Sequence, residues 1–213
     1  YNYNIYNEPK SAYSMQDDIK VPSEYQGIEA GPQSYWFGHA TQFFSLPGST
    51  IVTDLVEGAL APGLYPRQTE AGTTAEELPV ADIYMLSHNH KDHYDKTAIM
   101  KLLPHQPVMI VPHNDGHWYR EMGFHNVSEL NWWDSQEVIF SKNNEEHTVK
   151  ITATPARHWA GQGPCGGHDS TFLGFVIESG KMGGAIYFAG DTARLNRDHV
   201  QKLRENFPNI QIF

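Results

Sequence analysis

Short apolar runs recur along the chain, each bounded by glycine, proline or polar clusters. Residues 34–37 (SYWF), 41–46 (TQFFSL) and 49–54 (STIVTD) are β-branched or aromatic and too short for helices, so the pattern predicts three strands. Residues 81–87 (ADIYMLS) form an almost continuous apolar run, which predicts a strand buried on both faces. Asp95 is placed to cap a helix over 96–103 (KTAIMKLL), which Pro104 would end. A strand at 107–111 (PVMIV) and a short helix at 114–123 (NDGHWYREMG), closed by Gly123, follow. Further strands are predicted at 137–140, 148–155, 172–179 and 184–191, a helix at 197–206, and the start of one more strand at 209–213. Strands interspersed with helices, and no internal repeat, predict an α/β class.

Two stretches lack period. Residues 1–32 are polar and read as an extended N-terminal arm, leaving 33–213 as one domain. Residues 55–79 read as a long loop rich in glycine, proline and threonine; a loop of that length in a compact domain is commonly functional. The chain stops on the apolar run at 209–213, so the fold is expected to lack its C-terminal part here.

Composition narrows the function classes. Hydrophobic residues make up 39% and charged residues 19%, which fits a soluble globular protein. The net charge of -10 argues against a general nucleic-acid binder, which needs a basic face, and against docking on anionic lipid through a polybasic patch. No run of about 18 apolar residues occurs, so no membrane span is expected. A single cysteine, Cys165, excludes an intrachain disulfide framework and a cysteine-rich zinc module. A free cysteine points weakly to a reducing compartment and so to the cytoplasm; the start at Tyr1 fits a removed leader or a trimmed end. Nothing indicates an oligomeric state.

Twelve histidines raise the case for a metal site. The segment 87–95 (SHNHKDHYD) packs His88, His90, Asp92 and His93 into six positions directly after the doubly buried strand. A divalent metal takes imidazole and carboxylate ligands at about 2.0–2.2 Å. His88 and His90 can aim at one ion once the backbone bends at the strand end; Asp92 and His93 could face a second ion close by. Paired ions can stabilise both the attacking and the leaving oxygen of a displacement. The competing reading, a solvated loop with coincidental histidines, does not account for four potential ligands so tightly spaced.

His-x-His-x-Asp-His is the signature of the metallo-β-lactamase superfamily, and HNHKDH (88–93) matches every fixed position. Residues 36–41 (WFGHAT), 53–54 (TD), 78–95 (LPVADIYMLSHNHKDHYD), 129–134 (ELNWWD), 154–159 (TPARHW) and 188–192 (FAGDT) resemble the branch of N-acyl-phosphatidylethanolamine-hydrolysing phospholipase D and its bacterial relatives, in order over about 34–195. The resemblance implies an αββα sandwich, with His88, His90 and His158 holding a first metal, Asp92 and His93 a second, and Asp191 bridging both. Zinc is the default, with iron or manganese as alternatives. The implied reaction is hydrolysis of a small-molecule or lipid phosphodiester by a metal-bound hydroxide, with Asp92 as ligand and proton acceptor. A lactone or ester hydrolase is the enzyme alternative; a metal-binding interaction module without turnover is the other. One departure stands out: the family takes a further histidine for the second metal from a later segment, and only His199 follows Asp191, inside a predicted helix.

His39 and Asp54 are candidates for outer partners of the ligands, since metal-bound imidazoles need a neighbour to set their tautomer. Asp95 is either a helix cap or another such partner. The glycine-rich segment 159–170 (WAGQGPCGGHDS) reads as a plain connector or as a gate over the substrate with His168 near the leaving group; Cys165 has no paired base to make it a nucleophile. Trp132, Trp133, Trp118 and Tyr119 belong to the core or line a groove for an acyl chain.

Overall fold

The computed structural model describes residues 32–58, 70–142, 144–161 and 170–212. The N-terminal arm, part of the 55–79 loop, and Cys165 and His168 lie outside these residues.

Two sheets face each other. The first contains, in spatial order, β1 (Gln33–Trp36), β2 (Gln42–Leu46), β3 (Ser49–Thr53), β4 (Ile83–Met85), β5 (Val108–Pro112) and β6 (Val127–Leu130). β1, β2 and β3 pair antiparallel; β3 to β6 run parallel. The second is built from β7 (Ser135–Lys142), β8 (Glu145–Pro155), β9 (Leu173–Ser179), β10 (Ala185–Phe188) and β11 (Ile210–Ile212), in the order β11-β10-β9-β8-β7. Its pairs are antiparallel except β10 with β11. Helices α1 (Lys96–Lys101) and α2 (Gly116–Glu121) cover the outer face of the first sheet, and α3 (Arg197–Asn206) covers that of the second.

The alternation of side chains along a strand explains the layers. Ile51, Ile83, Met85 and Ile110 point between the sheets, where they meet Val149, Ile151, Phe175 and Ile177. Their neighbours Val52, Tyr84, Met109 and Val111 point outward and pack with Ala98, Ile99 and Tyr119 of the helices. On the other side Val176 and Ala185 meet Leu203 of α3. The central strands β4 and β5 of the first sheet are therefore buried on both faces, which is why they read as unbroken apolar runs. The expected αββα sandwich is what forms.

Local differences have local causes. α1 stops at Lys101, two residues before its expected end, and a 3-10 turn over Leu103–His105 replaces its last turn. Pro104 has no backbone N–H to continue the i→i−4 ladder, so the α-helix ends before it. α2 begins at Gly116 rather than 114 because Asn114 adopts a positive φ of 75°. β6 was not expected; its sequence VSEL is half polar, and the strand exists by pairing with β5 at the sheet edge. β7 and β8 run well beyond the predicted 137–140 and 148–155 into an exposed hairpin, whose ends carry little apolar signal. Among the described residues no helix is long and apolar enough to cross a membrane.

Candidate metal centre

The chemistry-bearing residues gather where strands end. Asp54 follows β3, Ser87 to His93 follow β4, His158 follows β8, Asp191 follows β10, and His39 sits in the turn between β1 and β2. A backbone bond from Leu173 N to Ser87 O, 2.9 Å, ties the two sheets together at this edge. Gly190 lets the second sheet approach: it has φ +57°, and a Cβ there would stand 2.7 Å from Ser87 Cβ and 3.0 Å from Leu173 O. Asp191 is delivered to the cluster by that close passage.

Three donor groups result: His88, His90 and His158; His88, His93 and Asp191; His39, Asp92 and His93. Within each, the donor atoms lie within 4.8 Å of one another. His88 Nε2 is 2.9 Å from His90 Nδ1, and His158 Nε2 is 3.2 Å from the same atom. His93 Nε2 stands 3.3 Å, and His158 Nε2 3.8 Å, from Asp191 Oδ2. Donors sharing one ion at 2.0–2.2 Å in tetrahedral geometry stand roughly 3.3–3.6 Å apart, so the spacing is that of coordination edges.

The buried carboxylate of Asp54 sets the ring orientations. It accepts from Ser87 N (2.7 Å), Ser87 Oγ (2.6 Å) and His93 Nδ1 (2.9 Å). The single hydroxyl proton of Ser87 goes to Asp54, so at the 2.9 Å contact with His88 Nδ1 the serine oxygen accepts. Both imidazoles therefore carry a proton on Nδ1 and turn Nε2 toward the cluster. His93 Nε2, fully buried, has no hydrogen-bond partner among the described residues; its approach to Asp191 Oδ2 is 3.3 Å.

Burial, reinforced by the neighbouring rings of His93, His90 and His158, pushes His88 down to about 2. Burial also lowers His90, aided by His158, and lowers His158 although Asp191 pulls the other way. These three rings are thus neutral at pH 7, the form that binds metal. Three ring nitrogens converge where one shared proton cannot satisfy them all; a cation would take all three lone pairs. The residues present therefore fit a divalent ion. His93 differs: burial opposes its charge, but Asp191 and Asp54 outweigh burial and raise it to about 10. His93 in turn holds Asp191 well below the usual carboxylate range. Asp92 is also lowered; burial works against this, and the bond from His39 together with the charge of His93 prevails.

The backbone is strained at this edge. His39 (φ 50°) and Asp54 (φ 42°) both occupy the left-handed region. Such residues cost about 1–3 kcal/mol each, whereas one fully buried large apolar side chain contributes about 1.5–3 kcal/mol, so a few core residues offset the pair.

Asp95 is a helix cap: its Oδ1 accepts from Thr97 N and Ala98 N, while Oδ2 accepts from Glu57 N (3.2 Å) and Gly58 N (3.1 Å), pinning the segment that leaves Asp54. Sequence reasoning missed Ser87, the relay to His88. It also missed a buried clasp. Asn89, between two candidate ligands, accepts from Gly161 N (2.6 Å) and donates to Asp115 Oδ1 (3.1 Å); Asp115 Oδ2 accepts from Ser170 Oγ (2.8 Å). The clasp holds the residues on either side of 162–169 against the cluster. A polar residue enclosed by candidate ligand histidines after a buried strand was the available signal for Asn89; nothing in the sequence marked its partners. Tyr119 is core and Trp118 packs against it. Trp132 donates to Phe172 O and Trp133 lies under Lys202. Exposed Trp159 instead rests on His158 and His90, with ring centroids 4.5 and 5.2 Å away.

A family model described as a beta-lactamase superfamily domain matches residues 49–210. The chain belongs to the metallo-β-lactamase superfamily. Its curated relatives place it with the N-acyl-phosphatidylethanolamine-hydrolysing phospholipase D-like branch. The Saccharomyces cerevisiae mitochondrial N-acyl-phosphatidylethanolamine-hydrolyzing phospholipase D is 31% identical over 202 residues, 90% of this chain and 41% of the yeast protein. The Caenorhabditis elegans N-acyl-phosphatidylethanolamine-hydrolyzing phospholipase D 1 is 30% identical over 175 residues, 77% of this chain and 48% of the nematode protein. The chain thus spans less than half the length of either. Among solved structures, the isothiocyanate hydrolase from Delia radicum gut bacteria superposes with a TM-score of 0.60 at 20% identity, covering 84% of this chain and 70% of that one. CmlA, a diiron beta-hydroxylase from Streptomyces venezuelae, gives 0.57 at 22% identity, covering 82% and 32%. These two establish the shared fold alone; a hydrolase and a hydroxylase on one scaffold leave the reaction to the site.

Proposed function

We propose that this superfamily member is a metal-dependent phosphodiester hydrolase acting on an N-acyl-phosphatidylethanolamine-like lipid, with zinc as its metal. The observation that carries the reading is the pair of donor groups joined at Asp191: His88, His90 and His158 on one side, Asp92 and His93 on the other. Divalent ions in that cradle would polarise a phosphoryl oxygen and lower the pKa of water toward neutrality.

The chain's own residues supply the rest. Asp54 and Ser87 keep the lone pairs of His88 and His93 directed inward. Asp92, kept ionised by its neighbours, is placed to accept a proton from attacking water. Asp191 holds the two groups in register. Trp36 and Trp159, half or more exposed beside the donors, offer apolar surface to an acyl chain. The names of the yeast and nematode relatives support the substrate class.

The test is elemental analysis of metal per chain beside turnover of an N-acyl-phosphatidylethanolamine, a chromogenic phosphodiester and a lactone. About two ions with phosphodiester turnover abolished by chelator is the expected result. Lactone turnover without phosphodiester turnover would favour the other hydrolase chemistry. Metal binding with no turnover of any substrate would favour a binding module.

A further inference from the structure

We infer that Thr41 is a positioning residue for the metal centre: its hydroxyl holds Asp54 in the backbone conformation from which the Asp54 carboxylate orients the donor histidines. The inference rests on the reading of His88, His90 and His158 as donors to one ion. Asp54 follows β3 with φ 42°. An extended conformation would carry the chain onward along the strand. The left-handed turn instead brings the carboxylate to Ser87 N, Ser87 Oγ and His93 Nδ1. A non-glycine residue persists in that region only where its surroundings over-determine it.

Both backbone polar groups of Asp54 are held. Its N–H donates to Met85 O at 3.0 Å, and its carbonyl accepts from Thr41 Oγ1 at 2.8 Å. Thr41 Oγ1 also accepts from Val56 N at 3.2 Å, so one hydroxyl reaches the chain on either side of Leu55 and closes the turn. Thr41 is 1% exposed and Asp54 0%, so water is not at hand to replace the bond. Thr41 is itself fixed from the other side. Phe37 N donates to Thr41 O (3.0 Å) and Thr41 N to Gly38 O (3.1 Å), closing the turn that keeps His39 at φ 50°. The hydroxyl therefore joins two strained turns at the edge of the first sheet. Packing alone would be served by valine, which has nearly the same shape and also favours strands; the oxygen is used twice, as donor to Asp54 and as acceptor from Val56.

The test is the affinity of the tightest-bound zinc, by competition with a chromophoric chelator, with circular dichroism as the fold control. The proteins are the parent, Thr41→Val, Thr41→Ser, Asp54→Asn, and the double variant carrying Asp54→Asn with Thr41→Val. Valine keeps the shape without the hydroxyl; serine keeps the hydroxyl. Thr41→Val should weaken the ion about tenfold, the lower end of the 10–100-fold that loss of an outer partner costs. Thr41→Ser should bind nearly as the parent does. In the double variant valine should add almost nothing to the loss from Asp54→Asn, because residues that act through one network are not additive. Unchanged affinity in folded Thr41→Val would overturn the inference and leave the donor reading standing. An equal loss in Thr41→Ser would overturn it by assigning the effect to the methyl group. Full additivity in the double variant would overturn it, because Thr41 would then not act through Asp54. Failure of either Thr41 variant to fold would assign Thr41 to the fold and overturn it as well. Absence of zinc binding in the parent would overturn it together with the donor reading.

Discussion

Asp54→Asn tests the reasoning about ring tautomers with almost no change in shape. The carboxylate accepts three bonds, two of them at Oδ2, from Ser87 Oγ and His93 Nδ1. An asparagine that keeps the Ser87 N bond presents its NH2 group to the other two. Ser87 Oγ must then accept, and its proton turns to His88 Nδ1. His93 Nδ1 must accept as well. Both rings are pushed to the tautomer with a proton on Nε2, where the metal lone pair should be. Losing an outer partner typically lowers metal affinity by about 10–100-fold, or roughly 1.4–2.7 kcal/mol. Here one substitution disturbs a ligand in each donor group, so both ions should weaken by that factor. The metal-free fold also loses a charge-assisted bond to His93, worth about 1.5–3 kcal/mol. The assay is competition with a chromophoric chelator at neutral pH, with circular dichroism as the fold control. Ser87→Ala is the companion: it cuts the relay to His88 alone, so the first ion should weaken and the second should not. A folded Asp54→Asn protein that binds both ions with unchanged affinity would refute the tautomer argument.

Other consequences are as direct. His93, raised to about 10, is charged at pH 7 in the metal-free protein and must lose its proton to become a ligand. Calorimetric titration in buffers of different ionisation heat should report about one proton released per second ion bound; heats independent of buffer would contradict this. The same shifts shape metal-free stability. His93 contributes fully below its ordinary 6.5, and that contribution is lost as pH rises toward about 10. His88, pushed down to about 2, makes the fold lose stability as pH falls below 6.5, because the unfolded chain takes up the proton. Thermal melts should therefore peak near pH 6.5 and decline on both sides; a flat profile would mean that these rings do not titrate as argued. Asn89→Ala strips partners from Gly161 N and Asp115 Oδ1. It should cost about 1–3 kcal/mol for each group left unpaired and weaken the first ion through His158, measurable by denaturant melts with and without metal. Gly190→Ala places a methyl 2.7 Å from Ser87 Cβ at φ +57°. Beyond the roughly 1–3 kcal/mol of backbone strain, it should displace Asp191 and lower the affinity for both ions; unchanged metal content would remove the close-approach argument.

Much of the molecule was legible in the sequence, and the parts that were not share a cause. Unbroken apolar runs at 81–87 and 107–111 declared strands covered on both faces, and their alternating side chains built the layers. Asp95 and Pro104 marked the start and approximate end of α1 from local chemistry alone. HNHKDH placed four donors within six residues. β6 escaped because an edge strand with a half-polar sequence is specified by its neighbour rather than by its own pattern.

The sequence by itself therefore determined the layered α/β architecture, the family and the nucleus of the candidate metal cradle, because periodicity, caps and motifs act over a few residues. Only the tertiary structure decided which distant groups join that nucleus. His39, Asp54, His158 and Asp191 come from four separate strand ends and meet through the register of two sheets and the close passage at Gly190. Their hydrogen-bond directions, from Asp54 through Ser87 to His88 and from Asn89 to Asp115, depend on atom positions within tenths of an ångström. No spacing along the chain encodes such contacts, because polar networks have no period and form only once the apolar layers have set where each strand stops.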